Sequence, residues 1–308
     1  MANITATMVK DLRDKTGAGM MDCKKALNET GGDMEAASDW LRKTGLLKAA
    51  KRATRVAAEG LIGVAVGGDA GALVEVNSET DFVARNDEFK SFVKQAAQIA
   101  LVEGCDAEKL LAKPMGNATV QHILSDMIAK IGENMSIRRA VTLAVSPGIV
   151  ASYVHNASSP ELGKIGVLVA LKSTADKAKL AALGKQLAMH VAAAAPLALT
   201  QEHLSKDVID RERAIQTDLV NQNSQGKPAN IIEKMLEGRM RKFYEDTVLL
   251  SQTFVIDGET QVAKVLEKAS KDFGAPVEIA GFVRFQVGEG IDKMTDDFAD
   301  EVGKLTGH

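Results

Sequence analysis

Cysteine, histidine and aromatic residues are scarce and net charge is small in this chain of 308 residues, and each of these closes off a class of function. The two cysteines, Cys23 and Cys105, stand far apart without a CxxC pair, so zinc-ribbon, redox and disulfide-scaffold readings fall away. Each is read as a small core residue, and a reducing cytoplasm is the expected setting. The five histidines, His122, His155, His190, His203 and His308, show neither HxxxH nor HExxH spacing, so no metal site and no cofactor are expected. Aromatics make up 4% of residues, too few to alternate with basic side chains as a stacking platform for nucleic acid. Lys and Arg number 38 against 41 Asp and Glu, a formal −3, which gives no field to hold nucleic acid or an anionic membrane. No apolar run reaches membrane-spanning length. The opening MANITATMVKDLRDKTGAG mixes charges too early for a signal peptide and is not the Arg-rich, acid-poor stretch of a transit peptide.

Catalytic signatures are missing as well. There is no GxSxG elbow, no P-loop and no dinucleotide fingerprint. The abundant carboxylates fall in helical stretches, where they read as solvated faces. The chain is therefore read as a non-enzyme. What it has is 45% hydrophobic and 26% charged residues, the balance of a folded protein with room for two or three units.

The first stretch reads as three short helices. Ile4, Met8 and Leu12 recur at helical spacing before the break Thr16-Gly17-Ala18-Gly19. Met20, Cys23, Lys24 and Leu27 open a second helix that Gly31-Gly32 ends. Asp33 stands where an N-cap belongs, ahead of Ala36, Ala37, Trp40 and Leu41 in a third. This module, GGDMEAASDWL included, resembles a ubiquitin-associated-type domain, which implies binding rather than catalysis. LLKAAKRATRVAAEG follows, with Lys48, Lys51, Arg52 and Arg55. Without interleaved aromatics it reads as a solvated linker helix rather than a nucleic-acid arm.

From residue 60 the period changes to two. Residues 60–66 and 72–76 read as a β-hairpin around Gly67-Gly68-Asp69-Ala70-Gly71, which lacks the GK[ST] ending of a phosphate loop. Thr80, Asp81, Phe82 and Val83 come next, then a helix through Phe89, Phe92, Val93, Ala96 and Ile99. Thr80 or Asp81 is expected to cap that helix. Local sequence allows Phe82 two placements, as a staple or core residue or exposed at the rim of the sheet.

The pattern recurs, since GVLVALKS at 166–173 matches GALVEVNS at 71–78. Each copy follows a strand (60–66; 148–154), precedes an Ala-rich helix (89–101; 180–194) and owns a later strand (137–145; 277–287). The expected fold class is α+β, with two related subdomains, each an antiparallel sheet backed by helices. Leu204, Val208, Ile215, Leu219 and Val220 on one arm, and Ile231, Ile232, Met235, Leu236 and Met240 on the other, flank a turn at 223–228. These arms predict an inserted coiled-coil hairpin. Ile291, Met294, Phe298 and Val302 predict a final amphipathic helix over 291–305. The expected divisions are a helical module at 1–55, subdomains at 56–146 and 147–290, the hairpin at about 200–245 within the second, and a tail at 291–308.

Several segments together resemble the elongation factor Ts family. LRDKTGAGMMDCKKAL (12–27) and EVNSETDFVARN (75–86) look like its two signatures. AKIGENMSIRRA, AMHVAAAAP, GKPANIIEKMLEGRMRKF and GFVRFQVGEGI continue the match in order. The resemblance implies an α+β fold of the kind just read. It also implies a guanine-nucleotide exchange factor of translation that binds elongation factor Tu in its GDP form and dislodges Mg²⁺. Thr80, Asp81, Phe82 and Val83 would be the wedge, with Phe82 inserting and Asp81 holding a polar contact. Met20, Lys24, Ile131, Gly132, His155 and Val255 would make further contacts. His155 lies in SYVH where members often have SYQH, so Val154 is a departure. No membrane or direct nucleic-acid partner is implied, and a homodimer through the C-terminal core subdomain stays open. The alternative is a non-catalytic adaptor that uses the helical module and the coiled coil.

Overall fold

Capping residues set the starts and stops of the first helices. Thr5 accepts a hydrogen bond from the Met8 N–H at the head of α1 (Ala6–Thr16), and Gly17 closes that helix at φ 67°. α2 (Met20–Glu29) runs into Gly31-Gly32, and Asp33 then accepts from the Glu35 and Ala36 N–H groups to start α3 (Met34–Arg52). Leu12, Cys23, Ala26, Leu27 and Ala37 close a small core among the three. The basic stretch is not a separate helix: its first half is the end of α3, the chain leaves the helix after Arg52, Lys51 and Arg55 are exposed, and the Arg52 guanidinium donates to the Ile128 carbonyl at 3.2 Å. Gly45 permits this approach, since a β-carbon there would sit 3.0 Å from that of Ala129.

The computed structural model describes residues 4–222 and 228–292. After α3, β1 (Glu59–Val66) and β2 (Ala70–Ser78) form the expected hairpin, with Gly68 at φ 75° in its turn. Then come α4 (Asp81–Arg85), α5 (Asp87–Glu103) and α6 (Ala107–Leu111), a two-residue ladder of β3 (Pro114–Met115) and β4 (Ala118–Thr119), and α7 (Val120–Ile131). β5 (Met135–Ala144) returns beside β2. The second half runs β6 (Gly148–His155), β7 (Leu162–Gly163), β8 (Ile165–Lys172) and α8 (Lys177–Ala194). The hairpin arms α9 (Lys206–Gln222) and α10 (Ala229–Thr247) follow, then α11 (Val262–Phe273) and β9 (Glu278–Gln286). The strand orders are β5-β2-β1-β7 and β6-β8-β9, all antiparallel. This is the α+β architecture expected from the sequence. The turn at 223–227 and the tail helix from 293 onward lie outside the described residues.

Period-two alternation stacks the layers. Leu61, Val74 and Val76 face Phe89, Phe92 and Val93 of α5, while Val167, Val169 and Leu171 face Leu180, Leu187 and Val191 of α8. The opposite faces meet each other, with Ile62, Val64 and Leu73 against Val150, Leu168 and Ala170. The order is helix, sheet, sheet, helix, and the central strands are buried on both sides.

The two halves are related in detail. A register shift falls between Glu75 and Val76 in the β2–β5 pairing, and the β8–β9 pairing shifts at the aligned Ala170 and Leu171. A side chain at Gly60 would fall on the Val76 carbonyl oxygen, and one at Gly148 on that of the aligned Leu171. Across the sheet interface, a β-carbon on Gly71 would meet Val150 and Leu168 at 2.9 Å. One on the aligned Gly166 would meet Ile62 at 2.6 Å and Leu73 at 3.2 Å. Each half offers its glycine to the other's leucine, the reciprocity of a two-fold interface built within one chain.

Candidate functional site

β2 runs out of apolar residues at Asn77-Ser78, and the chain turns into α4. Asp81 in its first turn and Arg85 in its last suit the helix dipole and pair with each other at 2.7 Å. Val83 and Ala84 point into the first core, and Asn86 ends α4 while capping α5 through the Glu88 and Phe89 N–H groups. Between these anchors Phe82 stands 74% exposed. It is neither a staple nor a core residue.

The expected cap is not made as drawn. Thr80 occupies the N-cap position with extended backbone, but its hydroxyl makes no bond to the helix. It donates instead to Glu133 at 2.8 Å, and the Thr80 N–H donates to the other oxygen of the same carboxylate at 3.0 Å. The Ser78 hydroxyl donates to the Thr80 carbonyl at 2.9 Å. Glu133 follows Gly132, which ends α7 in the left-handed region at φ 91° and so turns the chain back toward Thr80. Beside it the buried Asn134 donates its N–H to Glu79 and its side-chain amide to the Arg55 carbonyl. Two loops, 78–81 and 132–134, are thus laced together by a pair of carboxylates, one from each. Ile131 is half-buried on the first core.

Met20 is 58% exposed at the start of α2, and Lys24 is exposed one turn on. A cleft of about 260 Å³ lined by Gly19, Asp22, Arg42, Ala129 and Lys130 separates this helix from the last turn of α7. His155 ends β6 in solvent, its Nδ1 3.3 Å from the Tyr153 hydroxyl. Val255 is 45% exposed, and its N–H donates to Nδ1 of the buried His190 at 3.2 Å. His190 Nε2 lies 3.0 Å from Gln252 Oε1, so the neutral ring carries its proton on Nε2. Burial pushes the His190 imidazole below its ordinary value, opposed by the Gln252 hydrogen bond.

Topology brings these residues to one end of the layers. Lys164 binds Glu59 at 2.9 Å and the Gly60 carbonyl at 3.2 Å, which sets the start of β8 beside the start of β1. Antiparallel pairing puts Ser78 beside Glu59 and His155 beside Ile165. Phe82 and His155 therefore leave the same end. α8 runs back along the second sheet past Ala151, where Gly184 makes room, and carries toward that end His190, which accepts the Val255 N–H. The cleft sets Gly19 and Asp22, on either side of Met20, across from Lys130 in the last turn of α7.

A family model described as Elongation factor TS matches residues 79–289 of this chain. The chain belongs to the elongation factor Ts family. Proteins named Elongation factor Ts from Rhodospirillum rubrum and Rhodospirillum centenum are similar to it, at 59% identity over 98% of both chains and 57% over 100% of both. One from Paramagnetospirillum magneticum is 58% identical over 100% of this chain and 98% of its own. The matched stretch for elongation factor Ts opens at Glu79 and so takes in residues 80–83, while Met20 and Lys24 fall within the full-length matches.

Sequence reasoning missed two carboxylates by treating acids as solvated. One is Glu133. The other is Glu75, fully buried, which binds Arg139 at 2.6 Å, Arg138 at 3.3 Å and the Gly288 N–H at 2.9 Å. The signal was a lone acid inside an apolar strand, ALVEV, with an Arg-Arg pair in the strand beside it. Among the described residues no group of three or more His, Cys, Asp or Glu is placed to hold a metal, and no helix is long and apolar enough to cross a membrane.

Proposed function

We propose that this chain is a guanine-nucleotide exchange factor of translation elongation, acting in the cytoplasm on the GDP form of elongation factor Tu. Thr80, Asp81, Phe82 and Val83 form the wedge, and the observation that carries the reading is Phe82. It projects into solvent from a segment whose neighbours Val83 and Ala84 are buried and whose first residue is held on three sides. A rigid apolar projection of this kind suits insertion between the partner's side chains. The partner's GDP is held through its phosphates and through Mg²⁺, whose octahedral shell tolerates little distortion. A wedge that displaces the elements supporting that shell weakens ion and nucleotide together.

Linkage sets the scale. If the factor weakens GDP binding, GDP weakens the factor's binding by the same ratio. A thousandfold effect requires about 4 kcal/mol of differential binding, whereas burying one Phe yields roughly 1.5–3 kcal/mol. The remainder falls to a broad grip, with Met20, Lys24, Ile131, Gly132, His155 and Val255 as its further contacts. Stopped-flow release of fluorescent GDP from purified elongation factor Tu tests this. Release should accelerate with the concentration of this chain. Binding without acceleration would leave the adaptor reading and sink the exchange reading.

A further inference from the structure

We propose that Glu133 is a positioning residue for exchange, gripping Thr80 from the facing loop so that Phe82 leaves the protein in one fixed direction. This rests on the wedge reading above and extends it to a side chain outside the wedge. α4 has five residues, too few to hold its own conformation, and the Thr80 hydroxyl does not cap it. Val83 and Ala84 hold its far side in the core, and its near side is held by the carboxylate of Glu133, whose two oxygens take the Thr80 N–H at 3.0 Å and hydroxyl at 2.8 Å. A two-point, charge-assisted grip fixes orientation as well as place. Glu133 is itself half-buried and steadied by its neighbour, since Asn134 is buried and bound to Glu79 and to the Arg55 carbonyl. Phe82 lies two residues beyond the grip. A loose hinge at Thr80 would spread the ring over many directions and charge its ordering to the docking step.

The test compares Glu133→Ala, Glu133→Gln, Phe82→Ala and the Phe82→Ala/Glu133→Ala double in the full chain. It reads the second-order rate of GDP release from elongation factor Tu and the hydrogen-exchange rate of the Thr80 amide. Glu133→Ala should slow GDP release about tenfold, the loss of one charge-assisted grip, and expose the Thr80 amide to exchange. Glu133→Gln should restore most of the rate, since its Oε1 can accept the Thr80 N–H while its amide donates to the Thr80 hydroxyl. The double should be no slower than Phe82→Ala, because nothing remains to be aimed. A further drop in the double would mean that Glu133 acts on the partner directly and would overturn the proposal, as would an unchanged rate in Glu133→Ala. Should Glu133→Ala unfold, Thr80→Val takes its place, and an unchanged rate in that folded variant overturns the proposal equally. Equal rates for wild type and Phe82→Ala would overturn the wedge itself, a result distinct from any failure of Glu133.

Discussion

Leu73 lies against Gly166 across the two sheets, its Cδ2 3.2 Å from where a β-carbon on that glycine would sit. The missing side chain lets the layers meet, and the same substitution should cost stability at either symmetry-related site. Gly166→Ala would press on Ile62 at 2.6 Å, and Gly71→Ala on Val150 and Leu168 at 2.9 Å. Both are overpacking events in a dense interface, expected to cost about 1–3 kcal/mol. Urea melts check this, and a loss below about 0.5 kcal/mol at both sites would show that the sheets are not closely packed there.

His190 makes stability depend on pH. Burial lowers its folded value below the ordinary 6.5, so as pH falls through about 6.5 the unfolded chain takes a proton that the folded chain resists. Its contribution is complete above that value and declines below it, with a slope limited to about 1.4 kcal/mol per pH unit for one proton. His190→Gln has no charge to acquire and should show a flatter profile between pH 7.5 and 5.5. Identical profiles would mean that His190 is not held neutral.

Glu75 is a buried acid, and its loss should be costly because Arg138, Arg139 and the Gly288 N–H all converge on it. Glu75→Ala leaves two arginines without their carboxylate and should cost about 3 kcal/mol. Arg139→Ala should cost less, since Arg138 and the Gly288 N–H continue to bind the acid. The order of the two urea midpoints is the measurement, and the reverse order would move the weight of the network onto Arg139.

Much of this was legible because it rests on local rules. Strand alternation, the Gly67-Gly68 turn, the Asp33 cap and the apolar stripes of the hairpin arms each announce themselves within a few residues. The repeat was legible because aligned glycines and leucines share a packing task. α7 and α11 are less plain in the sequence, although Thr119 caps the first and Gly274 ends the second. The unexpected part of the site is non-local. Nothing around Thr80 says that its hydroxyl will meet an acid 53 residues away, and Glu133 is one of many acids near helix ends. The exposure of Phe82 also depends on tertiary context, because Val83 and Phe89 fill the space that a staple would use.

Phe82→Ala should separate function from folding. A side chain 74% exposed contributes little to the core, so the melting temperature should stay within about 2 °C, the shift of a small surface change. GDP release from elongation factor Tu should fall more than tenfold, because roughly 1.5–3 kcal/mol of apolar burial is withdrawn from the distorted complex. Mg²⁺ then distinguishes how the wedge works. If residues 80–83 act by loosening the ion's shell, removing Mg²⁺ should accelerate GDP release from the partner alone and shrink the further acceleration given by wild type. Asp81→Ala/Phe82→Ala should in turn differ from wild type chiefly in Mg²⁺-containing buffer. Stopped-flow release across a Mg²⁺ titration, with each form saturating, gives both comparisons. Equal acceleration by wild type with and without Mg²⁺ would rule out ion displacement, and the wedge would then have to act on the partner's phosphate loop or base pocket.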